Sequence, residues 1–375
     1  MNRWAALARW AVLGSIAVVV LAAVVEGAVV LFIGVQERWP TRLVESPIGL
    51  RLMEPGSRYR QQTAAGAVEI RVNGQGMRAD REYDAAKPAG VQRILAIGDS
   101  TTVGFGVEVE QTFVQVLEDR LKAAGLPVEV LNAGVPGFGT SEELVFLEKE
   151  LLARYSPDLV LVSFYENDIK DNVRTPLYRW EDDRLVRGAE RYFPDARVTN
   201  LLRTQPVLRW LDEHSNAFAF ARSQGAALLR RHRTQAGARA TDAAAAAVAP
   251  EQFTRTDPPR RMTAALFDAF LALARARGIP LVIQSIPSPA WPEGRLVLQE
   301  VFPVEFFDAG GAGVSLVLGM DWLPERIGEL DLYQRTNHHF APDGHRVMGE
   351  VLAQRILEDG LLIQASQAGA TADLR

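Results

Sequence analysis

From Trp10 to Val35 the chain is apolar except at Ser15 and Glu26, a run long enough for one helix to cross a bilayer. The pattern predicts a transmembrane helix over 10–35 behind a short segment, 1–9, that carries Arg3 and Arg9. A cleaved secretory leader is the competing reading, but its apolar part is shorter and ends in a small-residue cleavage site, and none stands out here. Arg3 and Arg9 favour a cytoplasmic amino terminus and a periplasmic or extracellular remainder, although Arg38 and Arg42 weaken that asymmetry. Glu26, inside the span, is expected to be interfacial, neutral or paired.

Residues 36–90 hold few regular patterns and several prolines and glycines, and read as a juxtamembrane connection with short strands such as Val68 to Val72. From Arg93 the pattern changes. Apolar runs at Ile94–Ile97, Val128–Leu131, Leu159–Phe164 and Leu281–Ile286 read as buried parallel strands. Helical periods at Glu110–Ala124, Ser141–Ala153, Pro258–Arg277 and Pro342–Leu357 alternate with them, which predicts an α/β domain over 91–360 with right-handed crossovers.

That alternation is interrupted at about 172–257 by an insertion with amphipathic stretches Leu201–Leu211 and Ala217–Leu229, a basic cluster Arg230-Arg231-His232-Arg233 and an alanine-rich run. Two readings stand side by side: a lid or membrane-lying helix near the site, and a solvated helical insertion on a flexible tether. The tail, 361–375, reads as disordered.

Composition narrows the function classes. With 375 residues at 48% hydrophobic, the chain can bury one sizeable core with additions. A net charge of −5, with no basic run carrying interleaved aromatics, argues against a nucleic-acid partner. The absence of cysteine excludes disulfides, thiol catalysis and thiolate-bound metals.

The candidate chemistry gathers at strand exits. Gly98-Asp99-Ser100 follows the first predicted strand, Asn132-Ala133-Gly134 the second and Tyr165-Glu166-Asn167-Asp168 the third. In open α/β sheets functional groups collect outside the carboxyl ends of the strands. Each tripeptide alone has a plain reading as a turn, a helix cap or an Asx-turn. Together they suggest a serine nucleophile, with the Ser100 N–H, Gly134 and Asn167 as donors to an oxyanion. Such a serine needs a base, and histidine is the side chain that is neutral and accepting near pH 7. Of five histidines, His214 and His232 fall in the insertion, whereas His338, His339 and His345 cluster just before the last helix. That cluster lacks a helical His-x-x-x-His partner set, so no metal is expected.

On these residues the chain resembles the SGNH/GDSL hydrolase family, in its membrane-anchored bacterial form. Gly98-Asp99-Ser100, Asn132-Ala133-Gly134 and Glu166-Asn167-Asp168 are similar to the first three family blocks, and His339-Phe340-Ala341-Pro342-Asp343-Gly344-His345 to the closing one. Asn73-Gly74-Gln75-Gly76-Met77-Arg78 also resembles a segment that recurs between anchor and first block. The resemblance implies a flavodoxin-like three-layer α/β/α sandwich with a parallel sheet, Ser100 as nucleophile, His339 as base, and Gly134 and Asn167 as oxyanion donors, with no cofactor. It implies a serine ester hydrolase acting on small-molecule or glycan acyl esters, with envelope or extracellular carbohydrate as the leading substrate. An O-acyltransferase of the same fold, and a catalytically impaired binding or assembly protein, are the alternatives.

One position departs from the family pattern. An aspartate is expected two or three residues before the catalytic histidine, and Asn337 and Thr336 stand there instead. Asp331, Asp321 or Asp308 could supply the carboxylate, Asn337 could orient the ring, or the activity could be weak.

Overall fold

The structure, a computed structural model, describes residues 3–193, 205–225 and 258–362. Among its helices, in chain order, are α1 (Arg3–Phe32), α2 (Ser100–Val103), α3 (Phe113–Ala123), α4 (Thr140–Phe146), α5 (Asn167–Arg174), α6 (Pro206–His214), α7 (Pro258–Arg277) and α8 (Pro342–Glu358). The chain divides into two compact units: Met1–Pro40, Arg60–Ala67 and Ala196–Ala243 in the first, and Thr41–Tyr59, Val68–Asp195 and Ala244–Arg375 in the second.

In the first unit, α1 begins ahead of the predicted 10–35 and stops short of Val35, near Gly34 with its φ of +103°. Ala6–Phe32, with a mean hydropathy of 2.6, is long and apolar enough to cross a membrane. Glu26 is paired. Its carboxylate accepts hydrogen bonds from Ser215 Oγ (2.8 Å), Asn216 N (2.7 Å), Asn216 Nδ2 (2.7 Å) and Ala217 N (3.0 Å). Of the predicted insertion, residues 172–193, which carry the antiparallel strands Tyr178–Glu181 and Arg184–Arg187, and residues 205–225, with α6 and a helical stretch over 216–225, lie among the described residues; the basic cluster, the alanine-rich run and residues 363–375 of the tail lie outside them.

The second unit is built on five strands: β1 (Gln92–Ile97), β2 (Val128–Asn132), β3 (Leu159–Phe164), β4 (Leu281–Ser285) and β5 (Val314–Leu318). All neighbours are parallel, in the order β2-β1-β3-β4-β5. This is the flavodoxin-like order, and its reversal point lies beside β1. Nearly every residue of β1, β3 and β4 is buried, as expected of strands covered on both faces.

Ile94, Ala96, Leu159, Leu161 and Val282 face α3 and α8, which present Phe113, Leu117, Leu121, Val347, Met348 and Leu352. The spacing of Phe113, Leu117 and Leu121 puts them on one helical stripe, and burying each contributes about 2 kcal/mol. On the opposite face α7 packs Phe267 against Phe164 (ring centroids 6.0 Å apart) and Phe302 (4.9 Å), next to α4 and α5. Helices on both faces of one parallel sheet make the three-layer α/β/α sandwich.

Three features differ from the sequence expectation. β5 was not visible in the sequence, because its alternating pattern follows the glycine-rich run Gly310-Gly311-Ala312-Gly313 and reads as loop. The helix expected over Ser141–Ala153 is broken by a π-helical turn at Leu147–Leu151. Much of the expected 36–90 connection belongs to the second unit, where Leu50, Met53, Ile70 and Met77 are buried. Its strands, such as Leu43–Glu45 and Arg51–Met53, are too short to carry a periodic signal. Arg78, also buried, donates its N–H to Asn132 O at the exit of β2 (3.2 Å) and its guanidinium to Val107 O (2.9 Å).

Candidate active site

Gly98 ends β1 in a place that admits no side chain, since a Cβ there would lie 2.0 Å from Thr102 Oγ1 and 3.1 Å from Ser163 Cβ. The chain can therefore turn at once into α2. Asp99 caps that helix, its carboxylate accepting from Thr101 N (2.7 Å), and Gly104 closes it with φ +82°. Ser100 is thus the first helical residue, held at the switch point of the sheet by a cap on one side and a left-handed glycine on the other.

The hydroxyl of Ser100 donates to His339 Nε2 (2.8 Å). Which tautomer His339 adopts follows from the carbonyls around it. The His339 N–H donates to Asn337 Oδ1 (2.9 Å), and only the amide oxygen can accept there. That same oxygen is 3.2 Å from His339 Nδ1, so Nδ1 carries the proton and Nε2 presents its lone pair to Ser100. The other end of the Asn337 amide, Nδ2, donates to Gln334 Oε1 (3.2 Å), and Gln334 Nε2 donates to the carbonyls of Phe105 and Phe340 (2.9 Å each). Two backbone carbonyls thus orient Gln334, Gln334 orients Asn337, and Asn337 orients the imidazole. Burial pushes His339 down to about 4, which keeps the ring neutral near pH 7.

The loop carrying this ring is itself anchored. His338 adopts a left-handed φ of +63°, uncommon for a side chain of its size, while Tyr165 OH donates to His338 O (3.2 Å). His345 belongs to the core rather than to the site: its Nδ1 accepts from Phe113 N (3.2 Å), joining the start of α8 to α3.

On the other side of Ser100 lie Gly134 and Asn167. Gly134 packs directly on α2, for a Cβ there would lie 2.8 Å from Val103 N and 3.1 Å from Asp99 O. Its N–H is held by Asn132 Oδ1 at 3.2 Å, and Asn132 Nδ2 donates to Thr102 O (2.7 Å). Asn167, the first residue of α5, donates to Asp171 Oδ2 (3.2 Å) and lies beside the Asp99 carboxyl. Both donors make long bonds that a stronger acceptor, such as an alkoxide, would replace.

Beneath these residues is a group of buried carboxyls. Asp99, Glu143 and Asp168 are essentially inaccessible. Burial pushes all three upward, with Asp99 and Glu143, and Asp168 with both, repelling one another's ionisation. Burial and mutual repulsion thus both disfavour ionising Glu143 and Asp168 together. Glu142, also buried, is pushed up to about 7, with Arg51 Nε 3.8 Å away.

The structure brings Ser100, His339 and Asn337 into one hydrogen-bonded line, and Gly134 and Asn167 against the turn that carries Ser100. Asp331, Asp321 and Asp308 are all exposed, and the atom facing His339 Nδ1 belongs to Asn337. Gln334 and Glu143 were not found from the sequence. Gln334 left no signal; Glu143 left one, an acid followed directly by Leu144-Val145-Phe146 on a helix with no exposed face.

Comparison with known proteins gives a family, two relatives and a similar solved structure. Residues 96–347 match the GDSL-like lipase/acylhydrolase family. An arylesterase of Vibrio mimicus is 34% identical over 77 residues, which are 20% of this chain and 38% of that protein. The esterase TesA of Pseudomonas aeruginosa is 34% identical over 80 residues, 21% of this chain and 39% of that protein. The match thus spans about two-fifths of each relative's length. A crystal structure of TesA is 18% identical, covers 72% of this chain and 100% of its own, and superposes with a TM-score of 0.37.

Proposed function

The chain belongs to the GDSL-like lipase/acylhydrolase family, and from that premise we propose that it is a serine ester hydrolase. The observation that carries this reading is the 2.8 Å bond from Ser100 Oγ to a histidine nitrogen whose tautomer is already set to accept. Ser100 Oγ attacks the ester carbonyl while its proton passes to His339 Nε2. The carbonyl oxygen becomes an alkoxide held by the N–H groups of Ser100 and Gly134 and by the Asn167 amide. As the tetrahedral species collapses, the C–O bond breaks and the alcohol leaves with the proton from Nε2. Water, deprotonated by His339, then cleaves the acyl-enzyme.

The experiment is turnover of p-nitrophenyl acetate together with fluorophosphonate labelling. An adduct on Ser100 with turnover supports the reading; a silent probe and no turnover favour a binding or assembly protein.

A carbohydrate ester is the substrate class favoured here. A cleft of about 450 Å³ opens at the far end of α5 from Asn167, where Arg174, Tyr178, Arg179 and Trp180 stand beside the apolar side chains of Val173, Pro176, Pro258, Pro259 and Met262. Flat aromatic faces and guanidinium donors suit a hydroxyl-rich acyl carrier. The alcohol that resolves the acyl-enzyme separates hydrolase from transferase, and product analysis with added sugar acceptors reads it directly.

We further read α1 as a membrane anchor with a cytoplasmic amino terminus, the enzyme lying periplasmic or extracellular. Alkaline phosphatase fused after Leu357 is expected to be active; activity only from a reporter that needs the cytoplasm contradicts that orientation.

The amide partner of His339 yields a two-part prediction. Asn337→Asp supplies a charge that stabilises the imidazolium, so kcat is expected to rise about tenfold and the acid limb of kcat/KM to move above its place near pH 4. It also sets a second carboxylate oxygen against Gln334 Oε1, and turning Gln334 over would oppose its carbonyl to those of Phe105 and Phe340. Stability should fall by about 1–3 kcal/mol. A kcat and acid limb both unmoved in Asn337→Asp would show that another group balances His339.

A further inference from the structure

Glu26 is the residue of the first unit that ester chemistry leaves without a purpose. A carboxylate in an apolar helix is costly unless its oxygens are bonded. Here they accept four hydrogen bonds, all from Ser215, Asn216 and Ala217. Asn216 and Ala217 open the helical stretch 216–225, where N–H groups have no intrahelical acceptor. Glu26 therefore caps a helix distant in sequence, and that helix is fixed at the depth of Glu26.

The depth follows from helix geometry. At 1.5 Å per residue about 20 residues cross the ~30 Å hydrocarbon core, so in a span that starts beyond Arg9, at Trp10, Glu26 lies about one helical turn short of the far headgroups. The segment docked there has suitable side chains. Val207 and Trp210 are 69% and 59% exposed, and with His214 they share one face of α6 at i, i+3 and i+7. The indole of Trp210 lies flat on His214, ring centroids 5.2 Å apart. Charge is turned to other uses: Asp212 pairs with Arg222, and the buried Arg38 donates to Glu213 O (3.0 Å) and Asn216 Oδ1 (2.8 Å). Tryptophan is the residue that bilayer interfaces favour.

We propose that residues 205–225 form a second membrane contact, lying in the bilayer interface with Val207 and Trp210 among the lipids, and docked on the transmembrane helix through Glu26. The proposal rests on α1 being a retained anchor, since a leader removed after export could not supply Glu26 to the cap.

The chain has no cysteine, so single nitroxide labels can be placed at will. Full-length protein in phosphatidylcholine and phosphatidylglycerol vesicles would carry one label at Ile16→Cys, Trp210→Cys or the exposed Glu358→Cys, read by collision with oxygen and with a water-soluble nickel complex. The expected order is lipid at Ile16, interface at Trp210 and water at Glu358. Lipid at Ile16 with water at Trp210 overturns the proposal and spares the anchor; water at Ile16 removes both. Adding Glu26→Leu should move the Trp210 label at least severalfold toward nickel access while Ile16 stays in lipid, and an unmoved Trp210 label refutes the docking role of Glu26.

Discussion

Ser100→Ala is expected to remove ester hydrolysis, lowering kcat by on the order of 10³-fold or more, with little change in melting temperature. The fold should hold because the helix cap is Asp99, not the serine hydroxyl, and alanine suits a first helical position. The lost group is the one oxygen that both reaches His339 Nε2 and faces the strand exits. His339→Ala should cost about as much, and the double variant little more, since nucleophile and base act as one unit. Steady-state kinetics on a p-nitrophenyl ester decide it. A rate near wild type in Ser100→Ala would end the nucleophile assignment, and additive losses would show that the two side chains act separately.

Asn167→Ala is expected to lower kcat by on the order of 10²- to 10³-fold with a small change in KM, the usual result of losing one oxyanion donor. Its side chain bonds Asp171 Oδ2 at 3.2 Å and the Asp99 carboxyl, so the thermal melt of this variant reads what those two contacts contribute to the fold. Gly134→Ala should behave differently. Its methyl would press on Val103 N and Asp99 O, moving the turn that holds Ser100, so activity and stability should fall together. Thermal melts beside the kinetics separate the two. An Asn167→Ala variant changed only in KM would mean that the amide binds ground-state substrate.

What was legible in the sequence had a local cause. Strands β1 to β4 are short apolar runs because both their faces are buried, and α7 and α8 begin at prolines suited to a first helical turn. Ser100, Gly134, Asn167 and His339 stood out because each follows a strand or precedes a helix in a short, recognisable string. What stayed hidden depends on contacts between distant positions. Gln334 matters through the carbonyls of Phe105 and Phe340, and no pattern near residue 334 announces a partner 229 positions away. Glu26 likewise showed in the sequence only that it needed a partner, which the fold supplies from 189 to 191 positions along the chain.

The acids beneath Ser100 also make folding a proton-binding reaction. In the unfolded chain Asp99, Glu143 and Asp168 ionise near pH 4. In the folded unit burial holds all three above that range. A group raised on folding gives its full stability below the unfolded pKa and loses it as pH climbs through the folded one. His339 and His345, pushed down to about 4 and about 3, act in the opposite sense, but only below about pH 6.5. Above that pH the raised carboxyls are left to set the slope, each proton held by the folded chain and not by the unfolded one removing ~1.4 kcal/mol of stability per pH unit. Melting temperature should thus fall as pH rises there in wild type and fall less in Glu143→Gln, which keeps the shape and has no proton to release; parallel slopes would contradict it. The same coupling makes alkali an antagonist of the site's own scaffold, loosening the ground under Ser100 in the range where its base is fully available.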